Sequence, residues 1–536
     1  MSDVTAPPAQ PTPAWRWPSI IVLVVAACYL PHLRGDFVWD DFEYIFKEPR
    51  IVDADGARRL LTEPFGHYGS VYRPLSTLTF WLQGQLTGLT LLPMRLVNVA
   101  GHAAVALLVF VYAQRLGASR RGAGVAAVLF ALHTGNVETV MFVNARHDLL
   151  GALFGLAALI VARPGLADRG RAGVVRDAVL SALLVGAAMS CKEVFVLIPA
   201  LAWLAEVLLS PGGWAVRTAR ATAMQLPAVL VVAALLAWRS SIGIDTGTAL
   251  SHVTLAERVA SVGGVLAWYT PLALSARQGA TAAAWVTPAS WLSILAVAGL
   301  VAAAMLSLSA TALGRLRTQR LVLIWLGLAW LGLFEAVTAM AVPATGQFAN
   351  RYLYAPTVGV ALLSIPATEW LYGRLEHHAR AVSLALALLG ASLLSASSSA
   401  ASNWQTARDL FGADVIDHPD DSRVLYHYGV AVSRTEGCEA ALPLFLRAAQ
   451  LEPTYGRAWH NVSGCLLRLN RPGDAVGPAR QALRLAPDDP RKMLNLGVAL
   501  VLSGSGDEGR ALLSRGCASL RNAPECRLLS EAPAPP

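Results

Sequence analysis

From Pro18 to Ser398 the chain is a succession of apolar runs near membrane-spanning length, joined by short loops. A hydrocarbon solvent leaves each such run one main choice, a helix that satisfies its own backbone. Charged residues make up 15% of the chain and hydrophobic ones 55%, where a soluble chain averages about 25% charged. The deficit ends at Asn403, after which the composition is that of a soluble protein. An all-α fold is therefore expected, a polytopic membrane helical bundle followed by a soluble helical domain.

Candidate spans fall near 18–33, 93–114, 122–143, 148–162, 176–190, 194–210, 222–238, 257–274, 290–310, 321–341, 351–369 and 381–398. Residues 1–14, with Pro7, Pro8, Pro11 and Pro13, read as a disordered tail. No small-residue cleavage site follows the first run, so it reads as a retained anchor with Trp15 and Trp17 at the interface.

The net charge of +8 comes almost wholly from arginine, since Lys47, Lys192 and Lys492 are the only lysines. The arginines sit mostly in loops, and no basic stretch is interleaved with aromatics, so no nucleic-acid partner is expected. Arg115, Arg120, Arg121, Arg163, Arg169, Arg171, Arg176, Arg217 and Arg220 mark cytoplasmic loops. The opposite side then holds Asp40, Asp41, the 144–148 stretch, Lys192 and Glu193. Arg315, Arg317 and Arg320, and Arg374 to Arg380, also call for the cytoplasm. That is met if 257–274, which contains Pro271, is re-entrant or lies on the surface. About eleven crossings result, with Arg351 and the C-terminal domain on the side of the aspartates.

Residues 403–530 carry a repeat. Gly429, Ser463 and Gly497 recur every 34 residues. Ala441, Phe445, Ala448 and Pro453, then Trp459, Ala475, Ala482 and Pro487, hold the small, aromatic and helix-ending positions of a tetratricopeptide repeat. Three repeats are expected, the last decaying after Gly509. They form a short solenoid whose concave face suits an extended polypeptide, or that packs without a partner. Cys438, Cys465, Cys517 and Cys526 lie here, open to two disulfides or to four buried thiols.

An acidic pair, Asp40 and Asp41, stands just after the first run, within Gly35-Asp36-Phe37-Val38-Trp39-Asp40-Asp41-Phe42-Glu43-Tyr44-Ile45. Carboxylates at a membrane mouth are costly unless they serve a function. Other stretches follow in order. They are Gly66-His67-Tyr68-Gly69-Ser70-Val71-Tyr72-Arg73-Pro74-Leu75, then Phe130-Ala131-Leu132-His133-Thr134-Gly135-Asn136-Val137-Glu138, then Ala145-Arg146-His147-Asp148-Leu149-Leu150, then Ser190-Cys191-Lys192-Glu193, then Asn350-Arg351-Tyr352-Leu353-Tyr354-Ala355-Pro356.

In this order, and ending in tetratricopeptide repeats, the chain resembles a bacterial relative of the transmembrane and tetratricopeptide-repeat O-mannosyltransferases. These are GT-C glycosyltransferases. The resemblance covers residues 15–400 and the repeat domain. It departs at Asn136, where members carry a second histidine, and at Asn350, where they carry a glutamate.

The resemblance implies a polyprenyl-phosphate sugar as donor, a hexose such as mannose, and Ser or Thr hydroxyls of an extracytoplasmic polypeptide as acceptor. It implies no cofactor beyond that lipid-linked substrate and no catalytic metal, and no His, Asp or Glu cluster has metal spacing. It implies a multi-pass protein of the bacterial inner membrane, with the site and repeats on the periplasmic side and the repeats holding the acceptor. Asp40 is expected as the base and Asp41 as its partner or an acceptor ligand, with the reverse open, each carboxylate raising the other's proton affinity. Arg351, Tyr352, Tyr354, Arg146 and Lys192 are expected around the donor phosphate. His67, Tyr72, Arg73, His133, Glu138, Asp148 and Glu193 are expected to orient acceptor or sugar, with His133 and Glu138 on one helix face. Two rival readings are a GT-C transferase acting on a lipid or surface glycan, and a non-catalytic membrane scaffold.

Overall fold

The computed structural model describes residues 15–64, 71–162, 170–244, 269–275, 319–345, 349–520 and 523–529. The tail at 1–14, His67, the 290–310 run and most of the 257–274 run lie outside the described residues. The described elements are all helical. They group into two compact units that divide in sequence between Gln405 and Thr406.

The first unit runs through α1 (Arg16–Tyr29), α2 (Gly56–Thr62), α3 (Pro74–Thr87), α4 (Leu91–Arg115), α5 (Arg120–Ala131), α6 (Val137–Met141) and α7 (Arg146–Ala162). It continues with α8 (Arg171–Cys191), α9 (Ile198–Leu209), α10 (Trp214–Ser241), a helical segment at 269–275, α11 (Gln319–Thr345), α12 (Tyr354–Arg374) and α13 (Ala379–Ser402). Among the described residues, six helices are long and apolar enough to cross a membrane, and a seventh if α5 and the bent stretch after it count as one. The chain is a multi-pass membrane protein. The 122–143 run is not a straight span, for it bends by 53° after Ala131. The 194–210 run opens as a 3-10 turn at Glu193–Leu197 and leaves α9 only 12 residues.

Helix α4 packs against α1, α5 and α7, and α11 pairs with α12. The peripheral faces carry exposed Leu180 and Leu183 on α8, Leu226 and Leu230 on α10, and Leu384 and Leu388 on α13, as lipid contact requires. Lipid tails are as apolar as leucine, so close packing and polar contacts must hold the helices together. Where α11 meets α12, a Cβ on Gly359 would stand 2.6 Å from the Gly327 carbonyl oxygen, so only glycine lets the two backbones touch.

The polar contacts come from one stripe of α4. Arg95, Asn98 and His102 share a helix face and are all buried. Arg95 donates to the carbonyls of Met141, Arg34, His32 and Trp404. Asn98 donates to Phe142 O. Arg95 alone thereby ties together residues 32–34, the end of α6 at Met141 and Trp404. Arg95→Leu is expected to leave four carbonyls short of a donor, at about 1–3 kcal/mol for each that stays dry. Thermal unfolding in detergent should show a large fall in midpoint, or no folded protein should be recovered.

The second unit begins with α14 (Ala407–Asp417). Three helix pairs follow: α15 (Ser422–Thr435) with α16 (Cys438–Leu451), α17 (Gly456–Arg468) with α18 (Pro472–Leu485), and α19 (Pro490–Leu502) with α20 (Gly506–Ser519). First helices start 34 residues apart, and so do second helices. The third pair is complete beyond Gly509, because Leu513 fills the space over Gly497 as Phe445 fills it over Gly429. Cys438 is bonded to Cys465 and Cys517 to Cys526, so these four cysteines are disulfides and not buried thiols.

Candidate functional site

The loop after α1 turns sharply at Trp39, whose φ of 51° is in the left-handed region that a bulky residue rarely adopts. Its ring stacks on Phe142 at 5.5 Å, and the Arg351 guanidinium lies 4.7 Å over it. The turn separates the two aspartates. Asp41 points inward and is fully buried, with its Oδ1 accepting the Asn144 N–H at 2.8 Å and its Oδ2 the Val38 N–H at 3.4 Å. Asp40 stays half-buried. Burial pushes the Asp41 carboxyl up to about 7, against the pull of the Asn144 hydrogen bond and of Arg95. The expected mutual effect of the pair is present but is the smallest of the influences on Asp41.

A carboxyl raised this way is held protonated by folding. Its contribution to stability is fullest below the ordinary carboxylate range and falls as pH rises toward about 7. Asp41→Asn cannot ionise. Its thermal midpoint in detergent is expected to lose the wild-type decline between about pH 4 and pH 7.

The bend after Ala131 builds the next part. His133 caps the Thr134–Asn136 turn by accepting the Gly135 N–H, and its Nε2 lies 2.7 Å from Ala273 O. The helix is interrupted there, so His133 and Glu138 do not share a helix face. Glu138 is fully buried and reaches Arg351 instead, taking its Nη1 at 2.7 Å and the Asn350 N–H at 2.9 Å. Asn136 bridges Phe130 O and the Thr357 hydroxyl and serves the packing of the turn.

Arg351 keeps 14% of its side chain exposed and is stacked among Trp39, Phe142 and Tyr352. Desolvation works against its charge, but Tyr352, Glu138 and Asp40 outweigh it and hold the guanidinium firmly protonated. Tyr352 also lies under the Lys192 ammonium, 5.2 Å from its ring centre. Lys192 is ion-paired with Asp148 and not with its neighbour Glu193. Glu193 takes Arg73 with both oxygens, at 2.8 and 3.2 Å, and has Arg239 4.0 Å away. Burial alone would raise its carboxyl, but the Arg73 charge and hydrogen bond hold it well below the carboxylate range.

Glu138, Arg351, Tyr352, Lys192 and Asp148 thus form one connected set, which Asp40 and Asp41 join through Trp39, and Glu193, the partner of Arg73, follows Lys192 in sequence. Four expected residues stand apart, His133 with its Ala273 and Gly135 contacts among them. Arg146 is almost fully buried, and its donors are taken by Asn98, Thr79, Gln83 and Met94 O. It is a clamp between α3, α4 and α7. Tyr354 is buried and bonded to His102, so its hydroxyl is spent inside the bundle. Tyr72 donates to Leu61 O and accepts from Trp238, which anchors its loop.

Sequence reasoning gave no role to His147, which is buried with no hydrogen-bond partner on Nδ1 among the described residues. Neither did it single out Trp39 or Arg95. The signal for Arg95 was available, an arginine inside an apolar run with Asn98 and His102 on the same helix face. Among the described residues no group of three His, Cys, Asp or Glu has the geometry to hold a metal ion.

In the second unit, a groove of about 930 Å³ is lined by His460, Arg468, Arg491, Leu494, Asn495 and Val498. These come from α17 and α19, the first helices of the second and third pairs.

No protein-family model matches the chain. It is similar to protein O-mannosyl-transferase TMTC3 of Mus musculus, 32% identical over 203 residues that make up 36% of this chain and 22% of that protein. It is 34% identical to protein O-mannosyl-transferase Tmtc1 of Drosophila melanogaster over 193 residues, 34% of this chain and 22% of that one. With TMTC4 of Homo sapiens the figures are 31% over 206 residues, 33% and 27%. The match spans about a quarter or less of the length of these curated relatives. They bear out the resemblance read in the sequence. Among solved structures, ArnT from Cupriavidus metallidurans bound to undecaprenyl phosphate aligns at 16% identity and a TM-score of 0.42, covering 95% of this chain and 88% of that one.

Proposed function

We propose, starting from the similarity to protein O-mannosyl-transferases and from the geometry of the site, that the protein is an integral-membrane glycosyltransferase. It moves a sugar, a hexose such as mannose, from a polyprenyl phosphate to a Ser or Thr hydroxyl of an extracytoplasmic protein. One observation carries this reading. Arg351, from the loop before α12, lies 4.7 Å over the ring of Trp39, the residue that precedes Asp40 in the chain. A carboxylate able to take a proton and a guanidinium able to hold a phosphate therefore share one site.

Asp40 accepts the acceptor hydroxyl's proton as that oxygen attacks the anomeric carbon. The bond from that carbon to the phosphate oxygen breaks, and polyprenyl phosphate leaves. Arg351 and Lys192 meet the charge that builds on the leaving phosphate. Asp41 fixes the turn that aims Asp40 by holding the Asn144 and Val38 amides. Glu138 aims Arg351. Arg73 and Glu193 hold the 192–197 turn in place behind Lys192. The repeats present the acceptor along the groove on α17 and α19, where Arg468 and Arg491 suit acidic side chains of an extended peptide.

The protein is placed in the bacterial inner membrane with this site and the repeats on the periplasmic side. Both disulfides support that side for the repeats, because a reducing cytoplasm does not keep such bonds. Denatured but unreduced protein is expected to titrate two thiols, Cys28 and Cys191. Six reactive thiols would put the repeats in a reducing compartment. Mass spectrometry of extracytoplasmic proteins from cells with and without the protein tests the reaction. A hexose on Ser or Thr should disappear with it, and an unchanged set of glycopeptides would sink the proposal.

A further inference from the structure

We infer that Glu335 recognises the donor's sugar by accepting hydrogen bonds from its hydroxyls, an inference that rests on the proposed function above. Glu335 lies in α11, inside the apolar stretch Gln319–Thr338. It is 1% exposed. One oxygen, Oε2, accepts the Thr270 hydroxyl at 2.9 Å. The other, Oε1, is buried and has no hydrogen-bond partner among the described residues. A carboxyl inside a span is costly and marks a functional position by default. Holding Thr270 alone would need no more than an amide, and a half-satisfied carboxyl is worse than none unless something else binds it.

Its neighbours say what that is. Tyr269, next to Thr270 in the chain, meets the Tyr352 ring edge-on at 6.5 Å. Tyr352 is the ring shared by Lys192 and Arg351. Contacts therefore run from Glu335 through the 269–275 segment to the cations proposed to hold phosphate. Asp40 is reached from Arg351 by a different neighbour, Trp39. A carboxylate repels phosphate, so its partner must be a donor of hydrogen bonds. In a lipid-linked sugar phosphate the hydroxyls nearest the phosphate belong to the sugar. The preceding residue in α11, Phe334, is packed among rings, with Trp330 stacked on it at 5.7 Å and Phe195 edge-on at 5.4 Å. Apolar rings beside a few fixed polar groups are what an enclosed ligand site provides.

The test uses the full-length protein in nanodiscs. Binding of polyprenyl-phosphate mannose and of bare polyprenyl phosphate is measured for wild type, Glu335→Gln and Glu335→Ala. Wild type is expected to bind the sugar-bearing lipid more tightly. Glu335→Ala should lose that preference by roughly tenfold to a hundredfold, the worth of a hydrogen bond to a charged group. Its affinity for the bare lipid should stay within about twofold, which also shows that the variant is folded. Glu335→Gln, with one acceptor left, should fall between. Equal weakening for both lipids, or no change for either, overturns the inference. Wild-type protein that binds neither lipid overturns the donor reading beneath it.

Discussion

Asp40→Asn is expected to lower sugar transfer by about 10²–10⁴-fold, the range over which a general base contributes. The asparagine fills the same volume at a half-buried position, so the fold should survive. Donor binding should also survive, because Asp40 acts on the acceptor's proton and not on the lipid. The loss should therefore appear in kcat with the donor KM little changed. Asp41→Asn should behave differently. Its oxygen still accepts the Asn144 amide, so transfer should fall less, and its signature is the lost pH slope of stability. If Asp41→Asn silences transfer and Asp40→Asn does not, the two roles are reversed.

Arg351→Ala is the second large effect, expected at about 10²–10³-fold in transfer, as for removal of one donor from a preorganised charge site. The variant has a second consequence. It strips Glu138 of its cation in a fully buried place, and breaking such a pair costs on the order of 3–5 kcal/mol. Loss of activity alone would then be ambiguous. Glu138→Gln combined with Arg351→Ala removes the stranded charge and should recover much of the thermal stability. It should recover none of the transfer. Arg351→Lys retains charge but loses the planar stacking on Trp39 and Tyr352, so partial activity is expected.

The parts of this molecule that obey a period were legible in the sequence. The 34-residue repeat is one, since Gly429, Ser463 and Gly497 mark close approaches of paired helices. The apolar runs that became α4, α8, α10 and α13 are another, because length and hydropathy alone specify them. Gathering Asp40, Glu138, Arg351 and Lys192 at one place was legible only through the resemblance.

What escaped has physical causes. The break at Leu132–Gly135 carries no proline, and its backbone is re-satisfied by His133 and Asn136 side chains that hydropathy does not see. Arg146 and Arg351 read alike as arginines for the donor phosphate. They differ in that Gln83, Asn98 and Thr79, far off in sequence, use up the first and not the second. Asp41 and Asp40 are adjacent and chemically identical, and only the left-handed turn at Trp39 sends one inward. Glu335 gave a signal, an acid within an apolar run, but nothing nearby in sequence said what it faces.

The most direct measurement is transfer by the purified protein in nanodiscs. Polyprenyl-phosphate mannose labelled in the sugar is supplied together with extracytoplasmic protein from cells lacking the transferase. The account predicts label on Ser or Thr of that protein with the wild type, and none above background with Asp40→Asn. Label released to lipid or glycan, or equal label with both proteins, would contradict it.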